Sequence, residues 1–276
     1  MSAIRIGLSP CPNDTFIFDA LLHQKIDTQG LNFEAVFADV EELNSMAFKG
    51  ELEVSKLSYH ALALLLKDYQ ILNSGSALGS GVGPLLIAKR DLKEQGIDQA
   101  RIAIPGKYTT ANFLLSLAYP RATDKRELLF SEIENAVLNE DVDAGLIIHE
   151  NRFTYQEKGL VKLIDLGNYW EEVSGSLIPL GGIAAKRSMD EKLKKTIDQL
   201  IHQSIAYAFE NPESSKGFVA AHSQEMNEAV CQQHIDLYVN QYSLDLGQEG
   251  RSAVSTLFEE AKKKEIIETI YEPIFT

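Results

Sequence analysis

A short apolar run, Ile4 to Leu8, breaks into Ser9-Pro10-Cys11-Pro12-Asn13-Asp14-Thr15 and then into the apolar Phe16-Ile17-Phe18. Two prolines separated by one residue forbid both ladder pairing and a helix interior at that point. Asn13, Asp14 and Thr15 bring side-chain oxygens suited to capping a helix that starts just after them. The pattern predicts a strand, a stiff polar turn, and a helix over Phe16 to Leu22. Such a turn sets backbone N–H groups and the positive end of a helix dipole at the carboxyl edge of a sheet, where open α/β folds hold small anions.

The alternation continues. Leu31 to Ala38 reads as a strand and Val40 to Lys49 as a helix; Glu53 to Leu57 reads as a strand, with Ser58 at the cap of a helix over Tyr59 to Lys67. This β-α-β-α-β-α order predicts a parallel sheet. After the glycine-rich bend Ala77-Leu78-Gly79-Ser80-Gly81-Val82-Gly83-Pro84 comes the run Leu85 to Ala88, and a fresh βα unit starts at Arg101 to Ile104 and opens a helix near Thr110. A helix over Ser131 to Leu138, a strand over Ala144 to Ile148 and an apolar run over Ile178 to Ala185 come next.

The remainder is helical. Ile197, Leu200, Ile201, Ile205 and Phe209 form one apolar face that stops at Pro212, and amphipathic segments occur at Val230 to Tyr238 and Ser252 to Ala261. These helices need a sheet to cover. The expectation is therefore a two-lobed α/β chain: residues 1–88 with 186–276 as a discontinuous first lobe carrying the C-terminal helices, and residues 89–185 as a second α/β lobe. Two crossings predict a ligand cleft with a hinge.

A net charge of -14 over 276 residues speaks against a nucleic-acid partner. No apolar stretch reaches the ~18 residues of a membrane span, and the first residues lack an export signal, so a cytoplasmic protein with no membrane partner is expected. Cys11 and Cys231 fit neither a disulfide framework nor a metal spacing; Cys11 reads as a packed turn residue or as a thiol at a helix start. No Walker loop, dinucleotide fingerprint or metal-ligand spacing occurs, which argues for chemistry without a cofactor.

Three segments would face the cleft: Ser9 to Thr15, Lys56-Leu57-Ser58, and Gly106-Lys107-Tyr108-Thr109-Thr110-Ala111. Each offers donors suited to a carboxylate, and each also reads as an ordinary helix cap. His149 is the sharper candidate. It comes directly after the buried-strand run Gly145 to Ile148, so its imidazole emerges at a strand's carboxyl end, where a proton can be exchanged near neutral pH. Glu150, Arg152, Thr154 and Tyr155 lie just beyond it. His60 could flank the cleft, whereas His23, His202, His222 and His234 read as surface residues.

Ser9 to Phe16, Lys56 to Tyr59, Gly79 to Pro84, and Gly145 to Glu150 with Arg152 to Tyr155 together resemble the 1,4-dihydroxy-6-naphthoate synthase family of the futalosine route to menaquinone. The resemblance extends into the helical tail at Tyr238-Val239-Asn240 and Ser243-Leu244-Asp245. It implies a fold like the type II periplasmic binding proteins and conversion of cyclic dehypoxanthinylfutalosine, a carboxylated small molecule, to the naphthoate by carbon–carbon cleavage. It further implies that His149 is the catalytic base and that Lys56, Leu57, Ser58, Thr110 and Ala111 contact substrate. Two alternatives share the fold: a chorismate dehydratase of the same route, and a small-carboxylate binding protein without chemistry. Oligomeric state is not legible.

Overall fold

A computed structural model of the chain describes residues 3–224 and 227–276, with the backbone alone at 94 and 95; Met1 and Ser2, part of the N-terminal stretch read above, lie outside them. The chain opens with β1 (Ile4–Leu8), α1 (Pro12–Leu22), β2 (Phe33–Phe37), α2 (Val40–Phe48), β3 (Val54–Ser58), α3 (Tyr59–Leu65), β4 (Tyr69–Ile71) and β5 (Ala77–Gly79). Next come β6 (Leu85–Ala88), α4 (Lys93–Ile97), β7 (Ile102–Ile104), α5 (Thr110–Ala118), β8 (Lys125–Glu127), α6 (Ile133–Leu138), β9 (Ala144–Ile147), α7 (Asn151–Thr154), β10 (Val161–Asp165) and α8 (Leu166–Ser174). It closes with β11 (Ile178–Lys186), α9 (Glu191–Glu210), α10 (Lys216–His222), α11 (Glu228–Tyr238), α12 (Gln241–Leu244) and α13 (Gly247–Lys263).

Two compact units result, Met1–Gly79 with Pro179–Thr276, and Ser80–Ile178. The crossings fall earlier than the predicted 88/89 and 185/186. Strand pairing is the reason. β6 hydrogen-bonds to β9 and β10 and so belongs to the second unit, while β11 lies antiparallel between β3 and β4 and so belongs to the first. Short apolar runs carry no label of the sheet they will join.

In the first unit β1 pairs in parallel with β2 and β3, as the β-α-β order requires, and the sheet order is β2-β1-β3-β11-β4 with β5 on β11. The core joins Ile6 and Leu8 of β1, Phe16, Ile17, Phe18 and Leu21 of α1, and Ile197, Leu200, Ile201 and Ile205 of α9. The helical tail thus covers the first sheet by way of α1. In the second unit β7 pairs in parallel with β8 and β9, and β6 and β10 run antiparallel, giving β10-β6-β9-β7-β8. Its core gathers Leu85, Ile87, Ala103, Ile133, Val137 and Ile147.

Helix starts obey cap chemistry in several places. Asp39 caps α2 through the N–H groups of Glu41 and Glu42, Asp165 caps α8 through Gly167 and Asn168, and Asp190 caps α9 through Lys192 and Leu193. α1 differs from expectation. It starts at Pro12, which takes the first helical position because its missing N–H is not needed there. Asn13, Asp14 and Thr15 are therefore inside the first turn instead of capping it. Among the described residues no helix is long and apolar enough to cross a membrane.

Candidate active site

In the first unit the carboxyl ends of the parallel neighbours β1 and β3 lead into Ser9 to Asp14 and into Ser58. Asp14, fully buried, gathers four donors. The Ser9 N–H (3.1 Å) and Oγ (2.8 Å) go to its Oδ2, and Asn13 Nδ2 (3.0 Å) and Lys56 Nζ (2.9 Å) go to its Oδ1. Lys56 also donates to the Gly75 carbonyl at 3.3 Å. A buried carboxylate so supplied is stable only because its charge is paired and its lone pairs are filled. Lys56, expected as a substrate contact, thus has a structural charge to balance in this unit.

Ser58 occupies the N-cap position of α3 without capping it. Its Oγ accepts from Asn44 Nδ2 at 3.2 Å and its N–H donates to Asn44 Oδ1 at 3.0 Å, which locks the end of β3 to α2. A hydroxyl that accepts in this way keeps its own hydrogen to donate. Leu57 is fully buried in β3 and packs in the core, so its side chain offers a ligand no surface. Cys11, the N-cap residue of α1, is buried as a packed turn residue, and its N–H donates to Ser9 Oγ at 3.4 Å. His234 departs from its expected surface position. It is 1% exposed and its Nε2 lies 3.0 Å from Asn13 Oδ1.

In the second unit β7 and β9 are parallel neighbours, so the segments leaving their carboxyl ends emerge side by side. One is Gly106 to Ala111 and the other carries His149. Thr109 caps α5 by accepting from Asn112 at 3.2 Å, and its own Oγ1 donates to the Gly106 carbonyl at 2.8 Å. Thr110 and Ala111 are the first two helical residues, whose N–H groups point out of the helix end. Asn112 ties the loop further: its Nδ2 donates to the Lys107 carbonyl (2.8 Å) and its Oδ1 accepts from Lys125 Nζ (2.9 Å). Burial pulls the Lys125 ammonium below the ordinary lysine range.

His149 is partly exposed and has a φ of 58°, in the left-handed region. Non-glycine residues there are uncommon, and the conformation persists only when its surroundings enforce it. The surroundings do so from three sides. The Phe130 ring and the imidazole meet steeply inclined at 4.7 Å between centroids, Asn151 Nδ2 donates to the Phe130 carbonyl (3.4 Å), and Arg152 clamps the adjoining turn. Arg152 donates to the carbonyls of Gly83 and Gly81, the latter at 2.8 Å, and to Asp165 Oδ2 at 3.2 Å.

The glycine-rich bend holds this clamp. A Cβ on Gly83 would stand 2.2 Å from the Gly167 Cα, so two backbones touch where α8 begins. Asp14, Asn44, Arg152 and the Gly83–Gly167 contact were not singled out in the sequence for these roles. Asn44 does leave a trace: with Leu43 and Ala47 it makes up the buried face of α2, a polar residue where an apolar one is expected.

Comparison with known proteins shows the family and the fold. A family model described as menaquinone biosynthesis matches residues 4–263. A Thermus thermophilus protein named 1,4-dihydroxy-6-naphthoate synthase is 45% identical over 275 residues, covering all of both chains. A Streptomyces coelicolor protein of the same name is 40% identical, covering 96% of this chain and 94% of its own. A crystal structure of an Archaeoglobus fulgidus protein superposes with a TM-score of 0.90 at 38% identity, over 96% of this chain and 98% of that one. At 14% identity the alkanesulfonate-binding protein of Xanthomonas axonopodis pv. citri reaches 0.72 over 100% of this chain and 98% of its own, and a Candida albicans protein described as having the generic periplasmic binding protein fold reaches 0.71 at 10% identity over 99% of this chain and 94% of its own, which shows a periplasmic-binding-protein-like fold. Since likeness in sequence runs through both units and nearly the whole length, this chain belongs to the menaquinone-biosynthesis family.

Proposed function

We propose that this chain is a 1,4-dihydroxy-6-naphthoate synthase, a carbon–carbon lyase that converts cyclic dehypoxanthinylfutalosine to 1,4-dihydroxy-6-naphthoate. The full-length identity to two proteins of that name carries the reading. His149, at the carboxyl end of β9 on an enforced left-handed backbone, supports a base held ready for one proton.

In the mechanism we favour, neutral His149 takes a proton from the cyclic substrate. The electron pair released forms a double bond as the carbon–carbon bond to the ribose remnant breaks, the pair of that broken bond takes up a proton from the His149 imidazolium so that the base is restored, and the product gains the aromatic stabilisation of the naphthoate. General base catalysis contributes about 10²–10⁴-fold, and holding the substrate in place adds to it. Ser58, with its hydroxyl hydrogen available, and the N–H groups of Thr110 and Ala111 suit carboxylate or sugar oxygens. Lys56 serves the substrate through Asp14 and the turn, and Leu57 through the backbone that carries its two neighbours. The protein acts in the cytoplasm on a small carboxylated substrate.

Incubation of the purified protein with cyclic dehypoxanthinylfutalosine and, separately, with chorismate decides the matter by chromatography. The naphthoate is expected from the first and no change in the second. Consumption of chorismate would make the chain a dehydratase, and binding without product would make it a carrier.

A further inference from the structure

We infer that His234 is a positioning residue for substrate binding, acting through Asn13 on the turn Ser9 to Asp14; this rests on the naphthoate-synthase reading above. His234 lies on α11, 221 residues from its partner in sequence and buried within the first unit. Asn13 Nδ2 is occupied as a donor to Asp14 Oδ1, so Asn13 Oδ1 accepts and the proton lies on His234 Nε2. Donation runs one way, from His234 to Asn13 to Asp14, where Ser9 and Lys56 also converge. Such buried chains polarise one another and fix one geometry. The ring stands 4.7 Å from that of Tyr238, which holds its orientation.

Packing alone does not call for an imidazole here. α11 buries Cys231, Ile235 and Tyr238 on the same face, and an apolar residue at 234 would extend it without burying a polar group. What the imidazole adds is the rotamer of Asn13, and through Asp14 the placement of Ser9 at the carboxyl edge of β1. That edge is beside Ser58, one of the substrate donors.

His234→Phe keeps a ring and loses the donor, whereas His234→Gln places an amide nitrogen near the Nε2 position. For turnover of cyclic dehypoxanthinylfutalosine, His234→Phe is expected to raise KM about tenfold with kcat within about twofold, and His234→Gln to restore most of it. Asn13→Ala should match the Phe variant, and combining the two should add nothing. A histidine that only fills the core would lower Tm and leave KM alone. An unchanged KM in folded His234→Phe, a Gln variant as impaired as Phe, or additive effects would overturn the inference. Should His234→Phe fail to fold, Asn13→Ala and His234→Gln carry the same comparison. If the wild-type protein forms no naphthoate, the functional reading fails, and thiol labelling of Cys11 in a Cys231→Ser background still decides the positioning. Labelling about tenfold faster in His234→Phe and restored in His234→Gln supports it, and equal rates refute it.

Discussion

The turn at Asp14 and the corner at His149 both succeed strands, yet they are built on opposite principles. Around Asp14 every oxygen is supplied, the charge is matched by Lys56, and the group is sealed from water. At His149 the residue is left partly exposed, the backbone is held in a costly conformation, and the anchors are neighbours such as Arg152 and Phe130. A saturated network gives fixed donors and no reactivity. A titratable ring on an enforced backbone gives reactivity that must be held still, which is what a base requires.

Substituting His149 by Asn, which also tolerates the left-handed region, tests the reactive side most sharply. Turnover should fall about 10²–10⁴-fold, or about 3–5 kcal/mol of barrier, with Tm nearly unchanged. Turnover near wild type would leave the corner without a chemical role. On the saturated side, Lys56→Met strands the Asp14 charge, and denaturant unfolding should show about 3–5 kcal/mol lost. Adding Asp14→Asn should recover much of that, because the cost is the uncompensated charge and not the missing contact.

Gly83→Ala probes whether the corner depends on its clamp. The new methyl meets the Gly167 backbone, so about 1–3 kcal/mol of stability should go, and kcat should drop with it as the Gly81 and Gly83 carbonyls leave Arg152. A stability loss with unchanged kcat would detach the clamp from His149. Thr110→Pro removes the first helical N–H at a position that proline tolerates, and a several-fold rise in KM, about 1 kcal/mol, is expected with kcat steady.

The smallest effect is alkaline. Burial, with Glu53 and Asp68 adding to it, pushes the Tyr69 phenol from 10.0 up to about 12. A folded-state value above the unfolded one gives stability that is whole below pH 10 and lost as pH rises toward about 12. Tyr69→Phe should flatten that fall in Tm, and a fall of unaltered steepness would assign it elsewhere.

Much of the fold was legible along the chain. The alternation of Ile4 to Leu8, Leu31 to Ala38 and Glu53 to Leu57 with helical stretches set a parallel sheet, and the stripe Ile197 to Ile205 set a helix that had to cover it. His149 was legible because a polar ring directly after a buried-strand run must emerge at the strand's end. β4, β8 and β10 were not singled out, and β5 was read as part of the glycine-rich bend: three to five residues carry too little periodicity, and such short or mixed runs take on strand form only beside a partner.

Local pattern therefore determined element type, order and the strand ends that carry the candidate residues, since backbone sterics and hydrophobic period act over a few residues. Tertiary structure alone decided which sheet received β6 and β11, that Lys56 balances Asp14, that Ser58 is locked to Asn44, and that His234 reaches Asn13 across 221 residues. Those are pairings of partners far apart in sequence. Their energy exists only once water has been excluded around both, and a linear pattern holds no record of that.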